Sequence, residues 1–382
     1  MNVWIVNPYD NLPCEGYRPQ RFWLMAGAFA AAGFSVTLWT SSFSHANKAP
    51  RVFKTPPVGD GFTLRLVPAP GYRRNISLRR ILDHRRLAKN WREMAEASPR
   101  PDLVIVSSPP LSLTAAVREF CAAKKIPYIV DVMDAWPETF ERVLPRWLLH
   151  LFGFYSLARR NYLGAAKVTA VADRYVELVR SYGYAGEVRK FYHGIELEGS
   201  TGINRLGNGV LRLVYIGNIS RSYDLRTVIE AVGGSDGVEL AIAGDGPDRG
   251  RLQKLAAGFE NIRFTGYLAG EEMKKLLAEA DAGVVPMWSD SCVGVPYKLA
   301  DYAAAALPVL NSLEGETAAL VDRYTAGFNY RAGDAASLVE AVGRLSRADR
   351  AELSRGAAAM ARLFDASAIY RGYVDFALSA IA

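Results

Sequence analysis

The feature that most constrains this chain is an alternation. Short apolar, β-branched runs recur between segments long enough to be helices. In the first half they are "VWIVN" (3–7), "SVTLWT" (35–40), "DLVIVS" (102–107), "PYIVDV" (127–132) and "KVTAVA" (167–172). In the second half they are "LRLVYIG" (211–217), "VELAIAG" (238–244), "NIRFTG" (261–266), "DAGVVP" (281–286) and "LPVLNS" (307–312). Strands separated by helix-length segments form βαβ units on a parallel sheet. Between the halves lies "LEGSTGINRLGNG" (197–209), rich in Gly and Asn and poor in apolar residues, which reads as a linker. The expected fold class is α/β: two doubly wound, Rossmann-like parallel-sheet domains, 1–196 and 210–364. The apolar spacing of 365–382 reads as a terminal helix. Such sheets bind ligands at the carboxyl ends of their strands, here in a cleft between the domains.

With 382 residues, half of them apolar, the chain can fill two cores. Cys14, Cys121 and Cys292 are scattered and odd in number, which suits a reducing compartment. "MNVWIVNPYD" has no basic leader before its apolar run, and no run reaches the roughly 20 residues of a spanning helix. These features point to a soluble, cytosolic protein.

The formal charge of +7 has a single source. Residues 73–92, "RRNISLRRILDHRRLAKNWR", hold eight basic residues and one acidic residue, and the remainder is neutral. Such a run can be a solvated helix face. Leu78, Ile81, Leu82 and Trp91 are interleaved with the charges, although Arg85 falls inside their face. Nucleic acid is disfavoured because no binding-module signature is present. A second stretch, Val143 to Ala172, lacks acidic residues and includes "WLLHLFGFYSLARR". Together they favour an anionic membrane surface.

Three strands end in glycine-bearing turns that open helices: "VNPYDNLPCEGYRPQRF", "YIGNISRSYDL" and "IAGDGPDRGRL". Such turns offer backbone N–H groups to anions, although glycine there can also serve only to permit positive φ. No G-x-G-x-x-G follows the first strand, which counts against a dinucleotide site in the first half. "PYKLADYAAAALPVLNS" adds an oddity: Lys298 places a cation at the positive end of a helix, with Asp301 one turn later. The two could simply pair on one face. There is no Asp-x-Asp pair and no His/Cys cluster with ligand spacing.

Across residues 210–330 the second half resembles the large family of retaining, nucleotide-sugar-dependent glycosyltransferases of two-domain GT-B architecture, often called family four. "LRLVYIGNISRSYDLRTVIEAV", "VELAIAGDGPDRGRLQKLA", "NIRFTGYLAGEEMKKLLAEADAGVVPM" and "PYKLADYAAAALPVLNS" match in order and spacing. "PDLVIVSSPPLSLTAA" and "YIVDVMDAWPETF" resemble first-half segments of members that build bacterial surface polysaccharides.

The resemblance implies a donor site. Lys298 and a basic residue of the preceding turn, Arg221 or else Arg226, would neutralise the donor diphosphate. Asp301 would reach the ribose, and Val293 replaces the glutamate that commonly contacts the sugar. Gly16, Tyr17, Asn218, Ser220, Gly244, Leu268, Val295 and Tyr297 complete the set. Asn218 stands where many members have arginine, and Gly16 stands for a usual glycine pair, with Arg18 nearby. Met133 takes the place of the usual first-half histidine, so Asp134 becomes the candidate to orient or deprotonate the acceptor, or else caps the turn of "DAWPE". His193 reads as a turn or interdomain residue, and the resemblance implies that the terminal helix at 365–382 rejoins the first domain.

The implied activity is metal-independent, retaining sugar transfer to a lipid-linked or other glycan acceptor, by a peripheral protein on the inner face of the cell membrane. No cofactor and no nucleic acid are implied. A sugar-nucleotide epimerase of the same architecture and a non-catalytic sugar-nucleotide-binding protein are the alternatives.

Overall fold

The computed structural model describes residues 1–55, 57, 59, 61–197 and 209–381. The linker expected over 197–209 lies, for 198–208, outside the described residues. The chain divides into two compact units, Met1–Gly194 with Ala366–Ala382, and Ile195–Asp365.

The first unit contains β1 (Asn2–Val6), β2 (Ser35–Ser41), β3 (Phe43–Ser44), β4 (Ala49–Pro50), β5 (Thr63–Val67), β6 (Leu103–Ser108), β7 (Tyr128–Val132), β8 (Lys167–Ala170) and β9 (Val188–Lys190). Seven of these form one parallel sheet in the order β5-β2-β1-β6-β7-β8-β9, and β3 and β4 form a small antiparallel hairpin. Its helices are α1 (Arg21–Ala31), α2 (Leu78–Glu96), α3 (Leu111–Lys124), α4 (Arg146–Leu151), α5 (Phe154–Leu163) and α6 (Asp173–Ser181).

The second unit contains β10 (Leu211–Ile216), β11 (Val238–Ala243), β12 (Ile262–Gly266), β13 (Ala282–Val285), β14 (Val309–Asn311) and β15 (Gly327–Asn329), paired in the order β12-β11-β10-β13-β14-β15. Its helices are α7 (Leu225–Gly233), α8 (Arg249–Ala256), α9 (Gly270–Glu279), α10 (Tyr297–Ala304), α11 (Glu316–Arg323), α12 (Ala335–Arg347) and α13 (Arg350–Ala361). In both sheets the strand order reverses beside the first strand, the doubly wound pattern that opens a site at the carboxyl edge.

The expected strands are all present, shifted by one or two residues at their ends. Three more flank them: β5, β9 and β15. Their residues are only partly buried, so no continuous apolar run announces them. The interior strands β1, β6 and β7 are buried almost throughout, which is why their sequences read as unbroken apolar runs.

Segment 365–382 contains α14 (Ala366–Leu378), which packs on α1 in the first unit. Tyr370, Tyr373 and Val374 join Phe22 and Phe29 in one core. A buried ion pair ties this corner together. Arg21 donates through Nε to Asp131 Oδ2 at 2.7 Å and through a terminal nitrogen to Oδ1 at 2.9 Å. Thr169 donates to the same carboxylate at 2.7 Å and lies 3.0 Å from the Tyr373 hydroxyl. Arg21 also holds the carbonyls of Phe191 and Tyr192 at 3.1 and 2.8 Å. A buried charge pair is tolerable when its remaining hydrogen-bonding capacity is satisfied, as here.

Helix α2 is capped by Ser77, whose Oγ accepts from the Arg80 N–H at 3.2 Å. The helix has two different faces. Leu87 and Trp91 are buried, and the Trp91 ring sits edge-on to Trp4 and Trp39, at 6.4 Å from each. Trp91 therefore does not share an outward face with Leu78 and Leu82, which are 79% and 61% exposed.

Candidate functional site

The carboxyl edge of the second sheet gathers most of the residues singled out in the sequence. Helix α10 starts after Pro296, whose extended backbone precedes the first turn, and no side chain caps it. The capping residue, a proline, therefore offers the positive end of the helix no side-chain acceptor of its own. Tyr302, one turn and a half along, anchors α10 to the sheet. Its hydroxyl accepts from the Ile216 N–H at 3.1 Å and is 3.1 Å from the Val214 carbonyl. Its ring lies against Gly283, where a Cβ would fall 2.5 Å from ring atoms.

That anchoring holds Lys298 under the end of β10. The side chain is buried, with its ammonium 3.7 Å from the centre of the Tyr223 ring and 5.0 Å from that of Tyr215. Tyr215 is itself fixed, donating to the Asn218 carbonyl at 2.6 Å. Burial lowers the lysine pKa, while the Tyr223 hydroxyl and, after it, the Asp301 carboxylate favour the charged form. Gly217 sits beside the ammonium, so that a Cβ there would lie 3.7 Å from Nζ.

The two glycine turns interlock. Ile219 N–H donates to the Asp245 carbonyl at 2.9 Å, and Asp248 N–H returns a bond to the Ile219 carbonyl at 3.1 Å. Gly244 has φ +146°, and a Cβ on it would fall 1.8 Å from the Gly217 carbonyl oxygen. Backbone contact alone thus requires glycine there.

The other second-unit candidates stand on neighbouring loops. Ser220 is half-buried and its carbonyl accepts from the Tyr223 N–H at 3.1 Å. Arg221 is exposed, and its carbonyl accepts from Trp288 Nε1 at 2.9 Å. Arg226, on α7, pairs with Glu230 at 2.7 Å. That pairing leaves Arg221 the better placed of the two for a ligand. Leu268 follows β12 and is half-buried, as are Val293, Tyr297 and Asp301, while Val295 is buried.

Gly16, Tyr17 and Asp134 belong to the first unit. Gly16 is exposed, with φ +88°, and ends a short 3-10 turn (Pro13–Glu15). The Lys54 ammonium would lie 2.8 Å from a Cβ on Gly16, which places at this loop a cation that no sequence motif marks. Tyr17 donates to Asn47 Oδ1 at 2.9 Å.

The carboxylate of Asp134 is held by its own turn. It accepts from the Ala135 N–H at 2.8 Å, Thr139 Oγ1 at 3.1 Å and Trp136 Nε1 at 3.2 Å. Burial raises its pKa against these bonds. This is the geometry of the turn-capping alternative. Met133 packs on the core, and His193 is close enough to Arg21 and Arg18 for their charges, after burial, to lower its pKa.

On α2 the basic residues separate. Arg79, Arg85, Arg86 and Lys89 face outward and, with Pro70 and Leu82, bound a groove of about 490 Å³. Arg80 turns inward over the rings of Tyr9, Tyr72 and Trp136. In and beside α4, Trp147, Leu151 and Phe152 are 66%, 71% and 68% exposed. Among the described residues no helix is long and apolar enough to cross a membrane, and no three His, Cys, Asp or Glu side chains converge as a metal would require.

The family comparisons cover both units. The model "Glycosyl transferase 4-like domain" matches residues 19–190, and "Glycosyl transferases group 1" matches residues 211–348. No curated protein sequence matches the chain. Among solved structures, it is similar to HepE (Alr3699) of Anabaena in complex with UDP and glucose: 14% identity over 99% of this chain and 100% of that one, TM-score 0.72. It is also similar to sucrose-phosphate synthase of Thermosynechococcus elongatus: 16% identity, 100% of both chains, TM-score 0.75. A third likeness is WaaG, a glycosyltransferase involved in lipopolysaccharide biosynthesis: 15% identity, 98% of this chain and 99% of that one, TM-score 0.69. At these identities the structures speak for the fold, and the two sequence models speak for the family. The chain is a GT-B glycosyltransferase, with a glycosyl transferase 4-like domain in its first half and a glycosyl transferases group 1 domain in its second.

Proposed function

We propose that this enzyme moves a hexosyl group from a nucleotide sugar to a hydroxyl of a lipid-linked glycan, without a metal ion and with retention of anomeric configuration. The observation that carries the reading is Lys298: a buried cation in the first turn of α10, at the helix's positive end and under the carboxyl edge of the sheet. The helix end and the ammonium oppose each other, and a diphosphate satisfies both.

The chemistry follows from that charge. The bond between the anomeric carbon and the phosphate oxygen breaks, the sugar gains oxocarbenium character, and the acceptor oxygen bonds from the same face. The acceptor proton passes to the departing phosphate. Negative charge grows on the diphosphate as it leaves, so fixed positive groups stabilise the transition state more than the ground state. Lys298 and the α10 terminus fill that role, with Arg221 reaching from its loop. Asp301 is assigned to the ribose hydroxyls, and backbone N–H groups of "CVGVPY" to the sugar. Gly16 and Tyr17 are proposed as further donor contacts. Asp134 is left to hold its turn, because its oxygens already accept three bonds.

HepE has been crystallised with UDP-glucose, which supports a nucleotide-sugar donor. The part WaaG plays in lipopolysaccharide synthesis supports a surface-glycan acceptor. The outward basic face of α2 and the exposed Trp147, Leu151 and Phe152 support peripheral attachment to the inner face of an anionic membrane.

The test is incubation with labelled UDP- and GDP-sugars in the presence of a chelator, with and without a lipid-linked acceptor fraction. Free nucleotide and a product of unchanged anomeric configuration are expected. A new sugar isomer would establish an epimerase instead, and donor binding without turnover would establish a binding protein.

A further inference from the structure

The carboxyl edge of the first sheet carries a second concentration of positive charge, on residues the donor site does not use. Tyr9 follows β1, His45 and Lys48 lie in the β3–β4 hairpin, Tyr72 follows β5, and Trp136 follows β7. Arg80 enters from α2, its guanidinium carbon 4.8 Å from the ring centre of Trp136, 5.4 Å from Tyr72 and 5.8 Å from Tyr9. The Lys48 ammonium stands 5.0 Å from the Tyr72 ring centre and 3.1 Å from His45 Nδ1. His84 Nε2 is 2.8 Å from the Tyr9 hydroxyl and 3.4 Å from Arg80 Nε.

What this cluster lacks is a carboxylate at ion-pair distance, although Asp83 and Asp134 attract Arg80 from farther away. Among the described residues no carboxylate forms an ion pair with Lys48 or Arg80. The carboxylates nearest in sequence and effect are engaged elsewhere: Asp83 accepts from the Gly71 N–H at 2.6 Å, and Asp134 serves its own turn. Burial and then the Arg80 charge push the Lys48 ammonium down to about 8. His45 and His84 are pushed down to about 3, by burial first and the neighbouring cations second, so at neutral pH both are uncharged. The backbone at Lys48 has φ +54°, in the left-handed region that a lysine rarely adopts. Two like charges are thus held together over an aromatic floor, one of them on strained backbone. An anionic ligand relieves that repulsion.

We infer that Lys48 and Arg80 form an anion site in the first unit, and that its ligand is a phosphate group carried by the sugar acceptor. The identity of the ligand as acceptor rests on the glycosyltransferase reading; the anion site does not. A donor diphosphate shares the same chemistry, so the test must separate the two.

The experiment follows acylation of Lys48 in the full chain, by peptide mass spectrometry, at one fixed pH near the about 8 to which its ammonium is lowered. The probes are inorganic phosphate, a hexose phosphate and the unphosphorylated hexose. Phosphate and hexose phosphate should slow labelling, by shielding the amine and holding it protonated, and hexose alone should not. In Arg80→Gln the concentration needed for protection should rise by about tenfold or more, as for loss of one charge-assisted contact. Arg80→Lys should retain most of the protection, which separates loss of charge from loss of packing. Protection should persist in Lys298→Ala, because Lys298 is not among the residues that form this cluster. The inference is overturned if phosphate leaves the labelling unchanged, if Arg80→Gln is protected as well as wild type, or if Lys298→Ala abolishes protection. Protection without any sugar transfer would retain the anion site and count against the enzymatic reading alone.

Discussion

Lys298 holds its ammonium 3.7 Å over the ring of Tyr223, a residue 75 positions earlier, on the turn that follows β10. The aromatic faces of Tyr223 and Tyr215 replace part of the water the cation has lost, but burial still lowers its pKa below the ordinary 10.5. The folded chain therefore binds this proton less tightly than the unfolded chain. Stability rises with pH between the lowered value and 10.5, and below that window the full penalty applies. At neutral pH, Lys298→Met should raise the melting temperature of the ligand-free protein. It should also reduce kcat/KM by about 10²–10³, the usual loss when a preorganised charge is removed from a developing anion. A variant that melts lower, or that keeps wild-type turnover, would remove Lys298 from the donor site.

Gly244 gives a purely structural prediction. Its α-carbon faces the Gly217 carbonyl oxygen so closely that a Cβ would sit 1.8 Å from it, at φ +146°. Gly244→Ala must therefore spread the two interlocked turns, and should lose about 3 kcal/mol or more in urea unfolding, with donor binding weakened in parallel. An unchanged midpoint would mean the turns yield without strain.

The sequence made some of this legible and hid the rest for physical reasons. Strands β1, β6, β7, β10 and β11 are buried almost throughout and read as apolar runs, whereas β5, β9 and β15 are partly buried and show none. The position of Lys298 was marked by its conflict with the helix end; its aromatic neighbours lie on another turn, and no local pattern joins them. On α2 the signal was present in the spacing. His84, Leu87, Trp91 and Ala95 recur at three and four residues and are buried, and Arg80 precedes them by one turn on the same face. Counting charges along the segment treats Arg80 as one of eight, and helical periodicity sets it apart. The two readings of Asp134 differ only in where its oxygens point, which the chain order does not encode.

The Arg21–Asp131 pair is fully buried and joins α1, β7 and the stretch before Gly194. Removing one partner strands the other without water. Asp131→Ala should lose about 3–5 kcal/mol, while Arg21→Met combined with Asp131→Leu should recover much of it. Chemical denaturation of the two variants side by side checks this. A double variant no more stable than Asp131→Ala would show that the bonds to the Phe191 and Tyr192 carbonyls, more than the pair itself, hold this corner.

His45 and His84 contribute to the acid sensitivity of the first unit. Both are pushed down to about 3, chiefly by burial, while the unfolded chain takes up their protons near the ordinary 6.5. Their contribution to stability is complete above about 6.5 and is lost as pH falls toward about 3. Asp10 acts in the opposite sense: burial raises it to about 6, so its contribution declines as pH rises from 3.8. The raised carboxyls of Asp83, Asp134 and Glu138 act as Asp10 does, and His193 acts as the other two histidines do, so the test is differential: His84→Gln, which keeps an acceptor for the Tyr9 hydroxyl, should lose less stability than wild type on acidification below 6.5. Thermal melts across pH 4 to 7, the window set by these groups, measure the slope directly. An identical slope in the variant would mean that His84 is charged in the folded protein.

Membrane attachment should depend on one face of α2 and not on the other. Arg79, Arg85, Arg86 and Lys89 surround an outward groove beside the exposed Leu78 and Leu82, whereas Arg80 is committed to the inner aromatic cluster. Each basic side chain near an anionic leaflet contributes about 1 kcal/mol, and the effect is screened within about 10 Å at ordinary salt. Changing the four outward residues to Gln should therefore release the protein from vesicles containing anionic lipid and raise the salt tolerance of what binding remains. Donor turnover to water should stay at the wild-type rate, because none of the four belongs to the donor site. Replacing Trp147 and Phe152 by Ser should weaken attachment by a route that added salt does not mimic, since those side chains contribute apolar area. Co-flotation of the four-residue variant with anionic vesicles to the same extent as wild type would show that the outward face of α2 meets something other than a lipid surface.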